Sequence, residues 1–209
     1  ATRMADDLDK MIIEEGPETV AAFFAEPIMG AGGVVTPPKT YFAKVQAVLK
    51  KHDVLFVADE VICGFMRTGN YWACETFDIQ PDILVCAKAL SSSYLPISGT
   101  IISDDIYQVI ADASAKLGVF GHGYTYSGHP VAAAVALETL KIYEEENILG
   151  HVQSVMGHYQ ERLRAFADHP LVGEVRGEGL IGATELVKNK DTKEAFAPAE
   201  NVGGIISDY

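Results

Sequence analysis

Val54-Leu55-Phe56-Val57-Ala58-Asp59 and Ile83-Leu84-Val85-Cys86-Ala87-Lys88 are the two stretches that decide the fold. Each is a short apolar run, which predicts a strand covered on both faces. Each ends on an ionisable residue, a carboxylate in the first and an amine in the second. Upstream, Met4, Leu8, Met11 and Ile12 recur at helical spacing until Gly16-Pro17 stops the helix, and residues 20–25 read as an apolar strand ending at Glu26-Pro27. After the glycine-rich loop Gly30-Ala31-Gly32-Gly33, Thr36 is placed to cap a helix with Tyr41, Val45, Val48, Leu49 and His52 on one face. That helix feeds the strand ending at Asp59. Strand, helix, strand is the pattern of a parallel sheet with right-handed crossovers.

Working outward from Lys88, a Ser91-Ser92-Ser93 loop enters a strand at residues 97–103, and Asp104 is expected to cap a short helix running through Ile110. Pro130 opens a helix that runs to about Glu146. Residues 151–168 read as a second long helix, and residues 172–177 and 180–187 as strands of a smaller unit. The expectation is an α/β fold with a mostly parallel sheet over residues 1–150. A linking helix and the start of a C-terminal α+β domain would follow over 151–209. The chain opens Ala1-Thr2-Arg3-Met4 and closes at Asp208-Tyr209, with structured-looking text at both ends, so a fragment of a longer protein is expected.

The 209 residues are 48% apolar, enough for a real core, and the formal charge is −13. Such an acidic balance without a Lys/Arg cluster argues against nucleic acid phosphates as partner. No membrane-length apolar run is present. Partners are therefore expected to be small molecules or other protein chains. Cys63, Cys74 and Cys86 are odd in number and lack paired metal or redox spacing, which predicts reduced thiols in a cytoplasmic protein.

In an α/β sheet, ligands bind beyond the carboxyl ends of parallel strands, where Asp59 and Lys88 project. A capping aspartate with a solvated lysine, or a salt bridge, produces the same pattern and stays open on these two residues alone. The functional alternative is pyridoxal phosphate, which takes a lysine as a Schiff base and a carboxylate against its protonated ring nitrogen.

Further residues carry a family resemblance. The text from Asp59-Glu60-Val61-Ile62-Cys63-Gly64-Phe65-Met66-Arg67-Thr68-Gly69 through Pro81-Asp82-Ile83 to Ala87-Lys88-Ala89-Leu90 resembles class III pyridoxal-phosphate aminotransferases of fold type I. Glu26-Pro27, Thr125-Tyr126-Ser127-Gly128-His129-Pro130 and Arg176-Gly177-Glu178-Gly179-Leu180 fall in that family's order, so the resemblance covers essentially the whole chain. It implies that Lys88 carries the cofactor and shuttles the proton, that Asp59 sits against the pyridine nitrogen, and that Val61 packs on the ring. Val61 is equally readable as core filling. The resemblance further implies that Thr125, flanked by Gly121 and Gly123, reaches the cofactor phosphate of a neighbouring subunit in a homodimer with shared active sites. A turn residue is the ordinary reading of a lone threonine. Glu26 would stand behind the site.

Departures from the commonest family text bear on the subclass. Members acting on ornithine or 4-aminobutyrate usually carry a glutamate shortly after the Glu-Pro pair, where it neutralises an active-site arginine; here Ala31 occupies that place. With Arg67-Thr68-Gly69-Asn70-Tyr71-Trp72, this resembles the amine:pyruvate or omega-transaminase branch. Met66 and Ala89 replace glycines and are expected to narrow the loop near the ring. The implied reaction moves an amino group from a primary amine or ω-amino acid to pyruvate or a similar oxo acid. An aminomutase or decarboxylase on the same scaffold, or an inactive binding fragment, are the alternatives. His122 and His129 lack further ligands for a metal. Gly177-Glu178-Gly179 reads as a turn rather than a dinucleotide loop, and Ser91-Ser92-Ser93 as a polar loop rather than a nucleophile.

Overall fold

A computed structural model describes residues 1–208 of the chain. Helix α1 (Thr2–Glu15) ends at Gly16, whose φ of 91° takes the chain out of the helix. Strand β1 (Ala22–Ala25) is shorter than its apolar run, because Pro17 opens a 3-10 turn over Pro17–Thr19. Helix α2 (Tyr41–His52), strand β2 (Leu55–Asp59), the short helix α3 (Ala73–Phe77), strand β3 (Ile83–Cys86) and strand β4 (Gly99–Ile102) follow. The sheet order is β1-β2-β3-β4. Its first three strands are parallel and β4 runs antiparallel to β3, so the expected mostly parallel sheet is present.

The sheet holds together by apolar burial. Phe56, Val57 and Ala58 are all buried, as a strand covered on both faces requires. On one face, Phe42, Val45 and Leu49 of α2 and Ile12 of α1 close over Phe56 and Ala58. The Phe42 and Phe56 rings stack at 6.0 Å. Each fully buried large side chain of this cluster contributes about 1.5–3 kcal/mol. Two further clusters are built on Ile28, Cys63 and Ala73, and on Met66, Cys86 and Val152.

Two expected caps are corrected. Thr36 does not cap α2; Thr40 stands at that position in a left-handed conformation, with no side-chain capping bond. Pro38 drives Pro37 out of the helical region, so the helix starts only beyond it. Asp104 does not cap α4 (Asp104–Leu117) either: the Ser103 hydroxyl accepts the Ile106 amide at 3.4 Å, and Asp104 is the first residue inside. The helix also outruns the expected stop at Ile110, because helix-compatible text continues to Gly118. None of its residues is buried.

Helices α5 (Pro130–Glu145) and α6 (Ile148–Arg164) are separated by Asn147 in a left-handed turn. Strands β5 (Val172–Glu178), β6 (Ile181–Asn189) and β7 (Glu194–Ala195) form a second, antiparallel sheet before α7 (Val202–Ser207). The β5-β6 hairpin docks on the first unit. Leu180 N–H donates to the Arg67 carbonyl at 2.8 Å. Gly179 lies so close that a Cβ there would stand 2.5–2.6 Å from the Arg67 and Thr68 backbone. Arg176 donates to the Gly33 carbonyl at 2.9 Å and pairs with Glu174 and Glu185. Among the described residues, no helix is long and apolar enough to cross a membrane.

Candidate active site

Because β2 and β3 are parallel neighbours, their carboxyl ends open on one edge of the sheet. Asp59 lies opposite Val85 in register, and the Glu60 amide continues the pairing by donating to the Val85 carbonyl at 2.9 Å. The Asp59 Oδ1 accepts the Val61 amide at 2.9 Å, which holds the carboxylate in a turn at the strand end. Lys88 is not the last residue of β3, which stops at Cys86; it opens a 3-10 turn (Lys88–Ser91) with φ 45°. Val61 and Lys88 line one cavity of ≈ 570 Å³, together with Arg67, Ser92, Tyr143 and Tyr159. Asp59 lines the adjoining apolar cleft of ≈ 400 Å³ instead, alongside Glu26 and Phe24. The end of β2 thus stands between two openings, with the carboxylate on one and Val61 on the other.

Other residues singled out from the sequence are placed as follows. Glu26 accepts the Gly30 amide at 2.9 Å, at the start of the turn that carries Ala31, which the Gly33 and Val34 amides close on the Gly30 carbonyl. Met66 is buried among Cys86 and Val152 with φ 71°, so it fills core rather than narrowing the cavity; Ala89 does line it. Ser91 is buried and donates to the Leu95 carbonyl at 2.7 Å, while Ser92 and Ser93 face the cavity. Thr125 is not brought to Lys88. It lies exposed between α4 and α5, and nothing stands within 4 Å of a side chain built at Gly121 or Gly123. His129 Nδ1 accepts the Val131 amide at the start of α5. Among the described residues, no cluster of metal-binding side chains occurs.

Two residues at this edge escape sequence reasoning. Glu60 is fully buried, and its carboxylate accepts the amides of Ala73 and Cys74 at 3.1 and 2.7 Å. Burial raises its pKa and the two amides oppose that shift. The carboxylate pins the start of α3 and so closes the loop that carries Val61 and Arg67. The signal was the strand period of two, which turns Glu60 inward when Asp59 faces the edge. Tyr143, on α5, donates its hydroxyl to the Ala89 carbonyl at 2.7 Å. No local signal marks it.

The three cysteines are buried. Burial pushes the Cys63 thiol up to about 11 and raises those of Cys74 and Cys86 as well, so none is a nucleophile at neutral pH.

Comparison with known proteins agrees with this architecture. The model of the family described as aminotransferase class-III matches residues 1–208. The chain is 55% identical over 203 residues to gamma aminobutyrate transaminase 3, chloroplastic, of Solanum lycopersicum, covering 97% of this chain and 39% of that protein. It is 55% identical over 205 residues to a probable gamma-aminobutyrate transaminase 3, mitochondrial, of Oryza sativa subsp. indica, covering 98% and 40%. A solved transaminase with L-ala superposes with a TM-score of 0.94 at 58% identity, covering 97% of this chain and 48% of that one. An omega transaminase from Pseudomonas jessenii in complex with PMP gives 0.91 at 54%, covering 93% and 43%. The chain therefore spans about two fifths of the length of these curated relatives. The names of such relatives, chloroplastic or mitochondrial, overturn the cytoplasmic expectation. Reduced thiols fit any reducing compartment, so cysteine usage could not have chosen among them.

Proposed function

The chain belongs to the class-III aminotransferase family, and on that premise we propose that it supplies Lys88, Asp59 and Val61 to a pyridoxal-phosphate transaminase. The observation that carries this reading is the shared cavity of Val61 and Lys88 beside the carboxylate of Asp59. The residues fit the group. An amine and a β-branched apolar side chain share a cavity of ≈ 570 Å³, within the roughly 300–1,000 Å³ of small-molecule sites, and the Asp59 carboxylate, with one oxygen uncommitted to Val61, stands two residues from Val61 on the neighbouring cleft.

Pyridoxal phosphate, when bound, supplies the electron sink that lets an amine carbon give up its proton. Lys88 holds the cofactor and moves that proton as base and then acid. Asp59 would help keep the ring nitrogen protonated, and Val61 would pack against the ring. Residues 1–150 form the cofactor unit and 151–209 the start of the smaller one.

The substrates we propose are a primary amine or ω-amino acid as donor and pyruvate or a similar oxo acid as acceptor. Relatives named for gamma-aminobutyrate support an ω-amino donor, so Ala31 bears on the acceptor rather than excluding that donor. With no carboxylate there to neutralise a substrate-binding arginine, the full-length protein with 4-aminobutyrate should turn over pyruvate at least about tenfold faster than 2-oxoglutarate. Coupled assays of both acceptors check this, and a preference for 2-oxoglutarate would refute the subclass while leaving transamination standing.

We further propose that Thr125 serves the cofactor phosphate of a second copy. Leu117 and Val119 are 87% and 95% exposed, and α4 buries nothing within the chain. Large apolar side chains so exposed at the end of α4 are consistent with a covering partner. Full-length protein should sediment as a dimer, and Thr125→Ala should weaken pyridoxal phosphate binding about tenfold without dissociating it. A fully active monomer, or unchanged cofactor affinity in the variant, would refute the shared site.

A further inference from the structure

Lys88 occupies a backbone conformation that L-residues rarely adopt. Its φ is 45°, and Ser92 and Ser93 follow at 48° and 60°. Left-handed backbone at both ends of one short turn persists only where the surroundings over-determine it. Part of the restraint is local: Ser92 N–H donates to the Ala89 carbonyl at 3.2 Å and Ser93 N–H to the Lys88 carbonyl at 2.9 Å. The rest comes from α5. The Tyr143 hydroxyl donates to the Ala89 carbonyl at 2.7 Å and lies 2.9 Å from Ser92 Oγ. A phenol has one proton, and with that proton on Ala89 the Ser92 hydroxyl must be the donor to the Tyr143 oxygen. A directed chain from Ser92 through Tyr143 to Ala89 therefore closes over the turn that bears Lys88. The Tyr143 ring is held in turn by Phe65, centroids 6.2 Å apart.

We propose that Tyr143 is a positioning residue of the transaminase, one that fixes the direction in which Lys88 leaves the sheet. The inference rests on the reading of Lys88 as the cofactor lysine. A lysine side chain is long and flexible, so the one part of its path the fold can set is its Cα–Cβ vector, and the Tyr143 chain sets it. A proton carrier must return to the same atom at each turnover, and small misplacements of such a group are costly.

Tyr143→Phe in the full-length protein loaded with pyridoxal phosphate keeps the ring and removes only the hydroxyl. We expect kcat to fall about tenfold while KM for the amine stays within about twofold. Amide exchange at Ser92 and Ser93 should accelerate about tenfold, with the thermal midpoint unmoved. Ser92→Ala should give a smaller loss, and the double variant should be no worse than Tyr143→Phe alone, because the two hydroxyls form one chain. Unchanged kcat, unchanged exchange, or additive losses would each overturn the proposal. Borohydride trapping separates it from its premise. A label on another lysine in the wild-type protein removes the reading of Lys88 and the positioning role with it. A label on Lys88 in both proteins, with exchange and turnover unaltered in the variant, removes the role of Tyr143 alone.

Discussion

Lys88→Ala in the full-length protein should lower turnover by about 10⁴-fold, since it removes the lysine amine that lines the cavity, which in the proposed reading is both the covalent hold on the cofactor and the proton carrier. The wild-type protein, reduced with borohydride in the presence of pyridoxal phosphate, should carry the cofactor mass on the peptide containing Lys88. The alanine variant should carry none. Small primary amines added to the variant should restore part of the rate, because the cavity left by the side chain admits an amine that can do the same proton work. Lys50 and Lys51 make the test sharp. They lie in the last turn of α2, which feeds the amino end of β2, at the far edge of the sheet from Lys88. A label on either, or on Lys116 in the last turn of α4, would remove Lys88 from the chemistry.

Asp59→Asn should retain the fold and lose about 10²-fold in turnover. The asparagine side-chain oxygen can still accept the Val61 amide that Oδ1 now accepts at 2.9 Å, so the turn at the end of β2 survives. What is lost is the negative charge on the other oxygen, which in the proposed reading would hold a proton on the cofactor ring nitrogen. Removing a preorganised interaction of this kind costs about 3 kcal/mol in the transition state. Cofactor affinity should fall as well. Stopped-flow half-reactions on variant protein saturated with pyridoxal phosphate, beside a thermal melt, check both parts. Near-normal rates in a variant that retains cofactor would make Asp59 a strand-end brace.

Much of the molecule was legible because its signals are local. The run into Asp59 and the run into Lys88 fell on adjacent parallel strands, as short unbroken apolar runs bounded by turn signals favour. The helical spacing of Tyr41, Val45 and Leu49 placed α2 to within its first turn. Where turn chemistry competes with periodicity, the local signal failed. Thr36 was displaced as a cap by the conformational demand of Pro37-Pro38, and Asp104 by Ser103 one position earlier.

By itself, then, the sequence determined the main strands and helices but not the short α3, β7 and α7, together with the family and the arrival of a carboxylate and an amine at one edge of one sheet. The elements and the shared edge follow from apolar patterning and the fixed hand of the crossovers, and the family from the resemblance of its motifs; neither needs knowledge of distant partners. Only the tertiary structure decided that Glu60 turns inward to hold the start of α3, that Met66 fills core, and that Thr125 lies exposed in a turn outside the lining of the Lys88 cavity. It alone brought Tyr143 to Ala89 across 54 positions of chain. Each of these depends on which surfaces meet once the elements pack, and a hydrogen bond between residues so far apart leaves no periodic trace at either end.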